Sequence, residues 1–202
     1  GWPYGRDEAE RAVELTLQWA ERSIRHFRAS GHRGALFGIV QGGVYSDLAV
    51  GCACELVKMG FDGYAVGGLA LGEPPEARRE TLEALSEVLP EDKPRYVMGI
   101  GYPEDLELAV SLGYDMFDCV LPTRNARNGQ AFTSEGTLNI RNSRFKKDPR
   151  PLDPACPCYV CRTFSRAYIR HLILSGEILG AWALTYHNVG FFVRLVKNLA
   201  EF

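Results

Sequence analysis

Three cysteines, Cys156, Cys158 and Cys161, stand within six residues near the carboxyl end of the chain. Three thiolates need one further ligand to complete a tetrahedral structural zinc site. His187 or His171 could supply it. His187 is favoured, because a helix that starts at Cys161 would carry His171 roughly 15 Å away. A disulfide is the alternative, but Cys156 and Cys158 are too close in sequence for a comfortable pair. We therefore predict a structural zinc ion that takes no part in the chemistry.

A carboxylate ends the last strand-like run of the chain. Tyr114–Val120 alternates as a β-strand does, so Asp118 and Cys119 should point to opposite faces. The polar stretch Thr123–Gly129 follows, and its two arginines could hold the phosphates of a substrate. A carboxylate placed there can attack a sugar anomeric carbon and form a covalent glycosyl intermediate. The alternative is an aspartate that caps the next element or pairs with Arg124, while Cys119 is interpreted as a core residue.

The charge is distributed unevenly along the chain. The net charge is −2, yet the stretch from Val120 to Arg170 contains ten basic and three acidic residues, hence +7, which leaves about −9 for the rest. A basic block in an acidic chain is the pattern expected of a nucleic-acid contact. An ordinary solvated face is the alternative interpretation.

The composition, with 46% hydrophobic and 24% charged residues among 202, is typical of a soluble globular protein. No apolar run is long enough to cross a bilayer, and no secretory signal is visible. The six cysteines are then expected to be reduced thiols or metal ligands, and we predict a cytoplasmic protein. Because the chain opens at Gly1 without a methionine, we expect an upstream segment.

Strand-like runs and helical segments alternate through the first 122 residues, after an amphipathic helix around Ala9–Phe27. This alternation predicts right-handed βαβ units and a parallel sheet. Four units are too few for a closed (β/α)₈ barrel, so we predict half of a TIM barrel, with a small doubly wound sheet as the other option. The expected strands are Leu36–Val40, Gly63–Val66, Arg95–Gly99 and Tyr114–Val120, and the helices between them are Tyr45–Met59, Pro75–Leu89 and Pro103–Leu112.

The pattern changes after Val120. We predict a basic loop at Thr123–Gly129, then a hairpin at Gln130–Ile140 with its turn at Glu135-Gly136, then a proline-rich irregular stretch. Helical periodicity returns in three segments: Phe164–Leu174, Glu177–Leu184 and Val189–Leu199. The expected domains are therefore an α/β part at 1–122 and a metal-binding helical subdomain at 123–202.

Five motifs occur in an order that resembles the bacterial tRNA-guanine transglycosylase family. They are FGIVQGG (Phe37–Gly43), GFDGYAVGGLALGEP (Gly60–Pro74), KPRYVMGIGYPEDL (Lys93–Leu106), DMFDCVLPTRNARNG (Asp115–Gly129), and CPCYVC (Cys156–Cys161) with His187. The resemblance covers essentially the whole chain. It implies a (β/α)₈ barrel with an inserted zinc subdomain, of which this chain would be the last four strands plus that subdomain. The implied activity is exchange of the wobble guanine of tRNA for a deazaguanine, a step of queuosine biosynthesis.

The resemblance assigns roles to matching positions in the proposed active site. Asp118 corresponds to the nucleophile that attacks the ribose of the wobble guanosine. Gln41, Gly68 and Leu69 correspond to residues that hydrogen-bond the base, and Met98 to a side chain that packs against it. A base flipped out of its stack needs both such polar groups and such an apolar platform.

The resemblance also implies the metal ligands and the RNA contacts. It selects His187 over His171 as the partner of the three cysteines, and so implies the set Cys156, Cys158, Cys161 and His187. Two segments correspond to contacts with the tRNA anticodon loop, the second of which reads the bases around the wobble position. The residues concerned are Gly99, Ile100, Gly101, Tyr102, Pro103, Glu104 and Asp105 in the first segment, and Thr123, Arg124, Asn125, Ala126 and Arg127 in the second.

Two departures from the family pattern carry expectations of their own. Leu71 occupies a position that is valine in typical bacterial members and glycine in eukaryotic ones, so we predict 7-aminomethyl-7-deazaguanine rather than queuine as the incoming base. The family's general acid/base aspartate belongs to the first half of the barrel and has no counterpart in this chain. We therefore expect this chain to be inactive by itself. The resemblance also implies a homodimer when the protein is full length. A non-catalytic tRNA-binding subunit is the alternative function.

Overall fold

The structure is a computed structural model that describes residues 2–31 and 33–200. The chain divides into two compact units, Gly1–Asp118 and Cys119–Phe202. Among the helices of residues 2–31 and 33–200, none combines the length and the hydrophobicity that a membrane span requires.

The first unit alternates helices with parallel strands. Its elements are α1 (Arg6–Ser30), β1 (Phe37–Val40), α2 (Ser46–Met59), β2 (Gly63–Val66), α3 (Pro75–Ser86), β3 (Arg95–Val97), α4 (Pro103–Ser111) and β4 (Met116–Phe117). The sheet order is β1-β2-β3-β4, and each pair is parallel. Local signals set the helix ends, because α3 and α4 each begin with a proline and left-handed glycines follow α1 and α2. The predicted four-stranded parallel α/β sheet is confirmed. That this sheet is half of a TIM barrel stays a prediction.

The two faces of this sheet differ in burial. Val40, Val66 and Val97 share one face and are at most 1% exposed. The opposite face includes Ile39 and Met116, which are 40% and 45% exposed. One face therefore forms the core of the unit, while the other presents apolar side chains at its edges.

The second unit is a small hairpin surrounded by helices. Its elements are α5 (Leu121–Arg127), β5 (Gln130–Thr133), β6 (Gly136–Asn139), a 3₁₀ turn (Ser143–Phe145), α6 (Tyr159–Thr163), α7 (Arg166–Leu174) and α8 (Ile178–Ala200). Strands β5 and β6 pair antiparallel. The core brings apolar residues from α5, the hairpin, α6, α7 and α8 together with two of the cysteines.

Two predictions for this unit are wrong in their boundaries. The segment Thr123–Gly129 is not a loop, because Leu121 and Ala126 bury one side of a short helix while its polar residues lie on the other. The last two predicted helices are one helix, α8. The helix continues through His187 and Asn188 between the two predicted segments, and both side chains are fully buried.

Three smaller differences concern turns and strand ends. The hairpin turn is one residue earlier than predicted, since Thr133 pairs with Gly136. Strand β4 is only two residues long because β3 ends at Val97 and turns away at Gly99 through a φ of 79°. Cys161 and His171, placed on one helix by the sequence, lie on α6 and α7.

Candidate active site and metal centre

Asp118 follows β4 at the carboxyl end of the sheet, and strand alternation places it on the same face as Tyr96. The hydroxyl of Tyr96 donates to its Oδ1 over 2.6 Å, and the backbone N–H of Gly99 donates to the same oxygen over 3.0 Å. The side chain is exposed. Among the described residues, the two hydrogen-bond donors to Asp118 both contact Oδ1. Oδ2 therefore remains available to contact a substrate. An oriented carboxylate with one uncommitted oxygen can act as a nucleophile.

The alternative role for Asp118 as a helix cap finds no support in α5. Val120 is the N-cap of that helix, and it has no side-chain capping bond. Cys119, interpreted as core from its alternation, is only partly buried. Asp118 is thus not turned into the packing between sheet and helices.

Gln41 extends from the end of β1 across two glycines that follow β2. A Cβ added to Gly67 would lie 2.8 Å from Gln41 Nε2, and one added to Gly68 would lie 2.8 Å from Oε1. The amide therefore approaches this backbone closely because neither residue has a side chain. Gln41, Gly68 and Leu71 line a cleft of about 160 Å³ together with Tyr4.

Glu73 holds the loop that follows β2. Its carboxylate accepts the N–H of Ala70 over 2.7 Å and that of Leu71 over 2.8 Å. Ala70 adopts a φ of 60°, a conformation that non-glycine residues adopt only when the surroundings hold them there. Burial by itself would raise the pKa of Glu73, but the backbone donors and Arg78 bring that pKa below its ordinary value. The carboxylate stays ionised and holds the backbone at Ala70 and Leu71, directly after Gly68 and Leu69.

The expected RNA-contacting residues of the first unit divide by burial. Gly99, Tyr102 and Glu104 are exposed, whereas Ile100 is 1% exposed and Gly101 is buried. Pro103 and Asp105 are partly buried, as is Met98, the residue expected to pack against the base. Ile100 therefore packs into the core and is unsuited to contact RNA through its side chain.

The second expected segment forms most of α5. Arg124 and Arg127 are exposed near its end, and Ala126 is completely buried. Thr123 and Asn125 are partly buried, and the amide of Asn125 donates to Gln130 over 2.7 Å. The two arginines are thus the members of this segment best placed to meet phosphates.

Cys156, Cys158, Cys161 and His187 converge in the second unit, with their four ligand atoms all within 4.8 Å of one another. His187 Nδ1 lies 3.6 Å from Cys158 Sγ and 3.3 Å from Cys161 Sγ. Ordinary zinc–sulfur and zinc–nitrogen bond lengths place such atoms about 3.6 Å apart in a tetrahedron. The donor set and spacing therefore fit a four-coordinate metal ion.

Neighbouring groups orient these ligands. His187 Nε2 contacts the carbonyl oxygen of Phe132 over 2.8 Å, which directs Nδ1 towards the cysteines. Arg194 Nη2 donates to Cys156 Sγ over 2.8 Å and places a positive charge beside the cluster. Burial raises the pKa of Cys161 and lowers that of His187. The imidazole is then neutral, as a ligand must be, while bound metal would stabilise the thiolates.

Several polar residues at these sites escaped the sequence analysis. Asp153 accepts the N–H and hydroxyl of Ser134 and the N–H of Ala155, and so shapes the loop before the cysteines. Asn188 is buried and bonds to Phe132 and Pro122. For Asp153 the available signal was an acidic residue between Leu152 and Pro154, but this does not reveal the partner.

These observations define a class of protein with two parts. An α/β unit ends on an oriented carboxylate, and the unit that follows it in sequence holds a Cys₃His cluster. The family model described as queuine tRNA-ribosyltransferase matches residues 1–201. The chain belongs to this family, whose members are transferases of tRNA processing. The resemblance drawn from the five motifs is thereby confirmed.

Proposed function

We propose that this chain carries the nucleophile of a tRNA-guanine transglycosylase. The carrying observation is Asp118, held at the end of the sheet by Tyr96 and Gly99 through one oxygen. One carboxylate oxygen of Asp118 attacks C1′ of the wobble nucleoside as the bond from C1′ to the guanine nitrogen breaks. Guanine leaves with the bonding electrons and receives a proton from the general acid/base, which later takes the ring N–H proton of the incoming base. The incoming base then attacks C1′ through its own ring nitrogen and displaces Asp118 as a carboxylate.

Base recognition is assigned to residues around the cleft at Gln41. The Gln41 amide and the backbone at Gly68 and Leu69 would read the edge of the base, with Met98 packing against its face. Leu71 is 53% exposed and lines the same cleft. Its side chain narrows the space for a substituent on the deazaguanine ring, which supports 7-aminomethyl-7-deazaguanine as the incoming base.

The RNA and the metal are assigned to separate features. Arg124 and Arg127 on α5, with Tyr102 and other exposed residues near Gly99, would contact the anticodon loop. The Cys₃His cluster would hold zinc in a structural role, because three thiolates and an imidazole leave no open position. The enzyme would work in the cytoplasm.

The complete enzyme is proposed to include a first half of the barrel, which supplies the general acid/base, and to form a homodimer. The second unit presents exposed apolar side chains on α6, α7 and α8, which supports association with another surface. They are Tyr159, Tyr168, Leu174, Ile178, Leu179, Trp182, Tyr186, Val189 and Val193. Sedimentation of the complete enzyme as a monomer would contradict the dimer.

Trapping of the covalent intermediate tests the proposal. The complete enzyme is incubated with a tRNA anticodon stem-loop and resolved on a denaturing gel. We expect an RNA adduct with the unsubstituted protein and with the control Asp92→Asn, which changes an exposed carboxylate. Asp118→Asn should give none. Tight RNA binding without any adduct would support the non-catalytic tRNA-binding subunit instead.

A further inference from the structure

Arg78, in the first turn of α3, has no part in the reaction as proposed, yet it joins two carboxylates. Its Nη1 lies 3.0 Å from Glu73 Oε1, and its Nη2 lies 2.8 and 3.0 Å from the two oxygens of Asp105. The side chains of Arg78, Glu73 and Asp105 are 13%, 1% and 16% exposed. An ionised carboxylate as buried as Glu73 needs a cation beside it. Arg78 therefore adds a cation to the backbone donors that keep Glu73 charged inside the unit.

The two carboxylates belong to different segments of the first unit: Glu73 to the loop after β2, and Asp105 to the helix after the β3 loop. Glu73 holds the backbone of Ala70 and Leu71, directly after the proposed base-binding residues. Asp105 lies in the first turn of α4, which follows the loop whose Gly99 N–H binds Asp118. One guanidinium thus connects the loop after β2 with the loop after β3. Its planar fork can contact both carboxylates at once, as the single ammonium of a lysine cannot do equally well.

We propose that Arg78 is a positioning residue that sets the placement of the base-binding loop relative to the loop that orients Asp118. This inference rests on the proposed function. Arg78 should therefore influence the affinity for the free base, because the base would contact the loop that Glu73 holds. The tRNA contacts proposed on α5 belong to the other unit and include no member of this cluster, whereas Asp105 ends the other proposed tRNA-contacting segment.

Steady-state exchange kinetics of the complete enzyme test the inference. Arg78→Met keeps most of the side-chain length and removes the charge and the fork. We expect KM for guanine to rise about tenfold or more, because small misplacements of binding groups have effects of that size. KM for tRNA should rise less than KM for guanine, because the proposed contacts of α5 remain, and kcat should fall less than KM for guanine rises. Arg78→Lys, which keeps the charge, should give a smaller increase in KM for guanine.

Arg79→Met is the matched control, since this neighbouring arginine is 62% exposed and pairs with Glu83 on the same helix. It should leave both KM values unchanged, and thermal unfolding of each variant shows whether it is folded. If Arg78→Met does not fold, Arg78→Lys decides the matter. An unchanged KM for guanine in a folded Arg78 variant of an active enzyme would overturn the inference alone. An unsubstituted enzyme that neither exchanges guanine nor forms the adduct would overturn the proposed function, and this inference with it.

Discussion

The phenolic hydroxyl of Tyr96 and Oδ1 of Asp118 are joined by a hydrogen bond of 2.6 Å. This bond raises the pKa of Tyr96, chiefly because the neutral phenol donates to a carboxylate and secondarily through partial burial. Ionisation of Tyr96 would remove the donor and place two negative charges side by side. The pair therefore keeps Tyr96 protonated over a wider pH range than an isolated tyrosine.

Asp118→Asn should lower the pKa of one tyrosine, because the substitution removes the negative charge that disfavours tyrosinate. The measurement is an absorbance titration of tyrosinate in the unsubstituted chain and in the variant. Repeated in a Tyr96→Phe background, the substitution should leave the tyrosine titration unchanged. A shift that persists there would show that Asp118 acts on some other tyrosine.

Cys161→Ser should release the metal ion and weaken the second unit. With one of the four ligands gone, we expect zinc content to fall from about one ion per chain to well below half. The unfolding midpoint should drop by about 5–10 °C, equivalent to a loss of about 2–3 kcal/mol. Elemental analysis and calorimetry measure the two effects. Cys54→Ser, which changes a partly buried thiol of α2, is the control and should keep its zinc. Full zinc content in Cys161→Ser would refute the ligand assignment.

Leu71→Gly should widen the base cleft, because it deletes a side chain that lines it. We expect the variant to accept queuine, whereas the unsubstituted enzyme strongly prefers 7-aminomethyl-7-deazaguanine. Competition between the two bases in an exchange assay gives the ratio of kcat/KM values. Leu71→Val should fall between the two. A preference for queuine in the unsubstituted enzyme would contradict the assigned substrate.

The double substitution Arg124→Gln with Arg127→Gln should weaken binding of the anticodon stem-loop. Each arginine that neutralises a phosphate adds about one to the slope of log affinity against log salt concentration. We expect the slope to become shallower by about two, with weaker binding at low salt. Fluorescence anisotropy at several salt concentrations measures it. Arg25→Gln changes an exposed arginine of α1 and should leave the slope unchanged.

The sequence predicted the parts of the fold that depend on local periodicity. Strand β2 was predicted at its observed bounds, and the start of α3 at Pro75 was also correct. The convergence of His187 on the three cysteines was predicted as well, from ligand chemistry and then from the resemblance.

The remaining features depend on partners distant in the chain. Helix α5 was not predicted because most of its residues are polar, and only the burial of Leu121 and Ala126 shows that one side of it packs inward. The Arg78 cluster joins residues from three segments, and nothing in the spacing of Glu73, Arg78 and Asp105 indicates that they meet. Tyr4, near the start of the chain, also lines the cleft with Gln41, and the sequence gives no indication of that contact.

Hydrogen bonds through Phe132 and Asn188 connect the Cys₃His cluster to the start of helix α5. Phe132 offers its carbonyl to His187 and its N–H to Asn188, whose amide in turn donates to Pro122 at the start of α5. Removal of the ion by a chelator would therefore weaken the hydrogen bonds that hold the start of α5. This helix carries Arg124 and Arg127, whose charges would not change. Loss of the ion should therefore weaken the proposed RNA binding by displacing this helix, without any change in its charge.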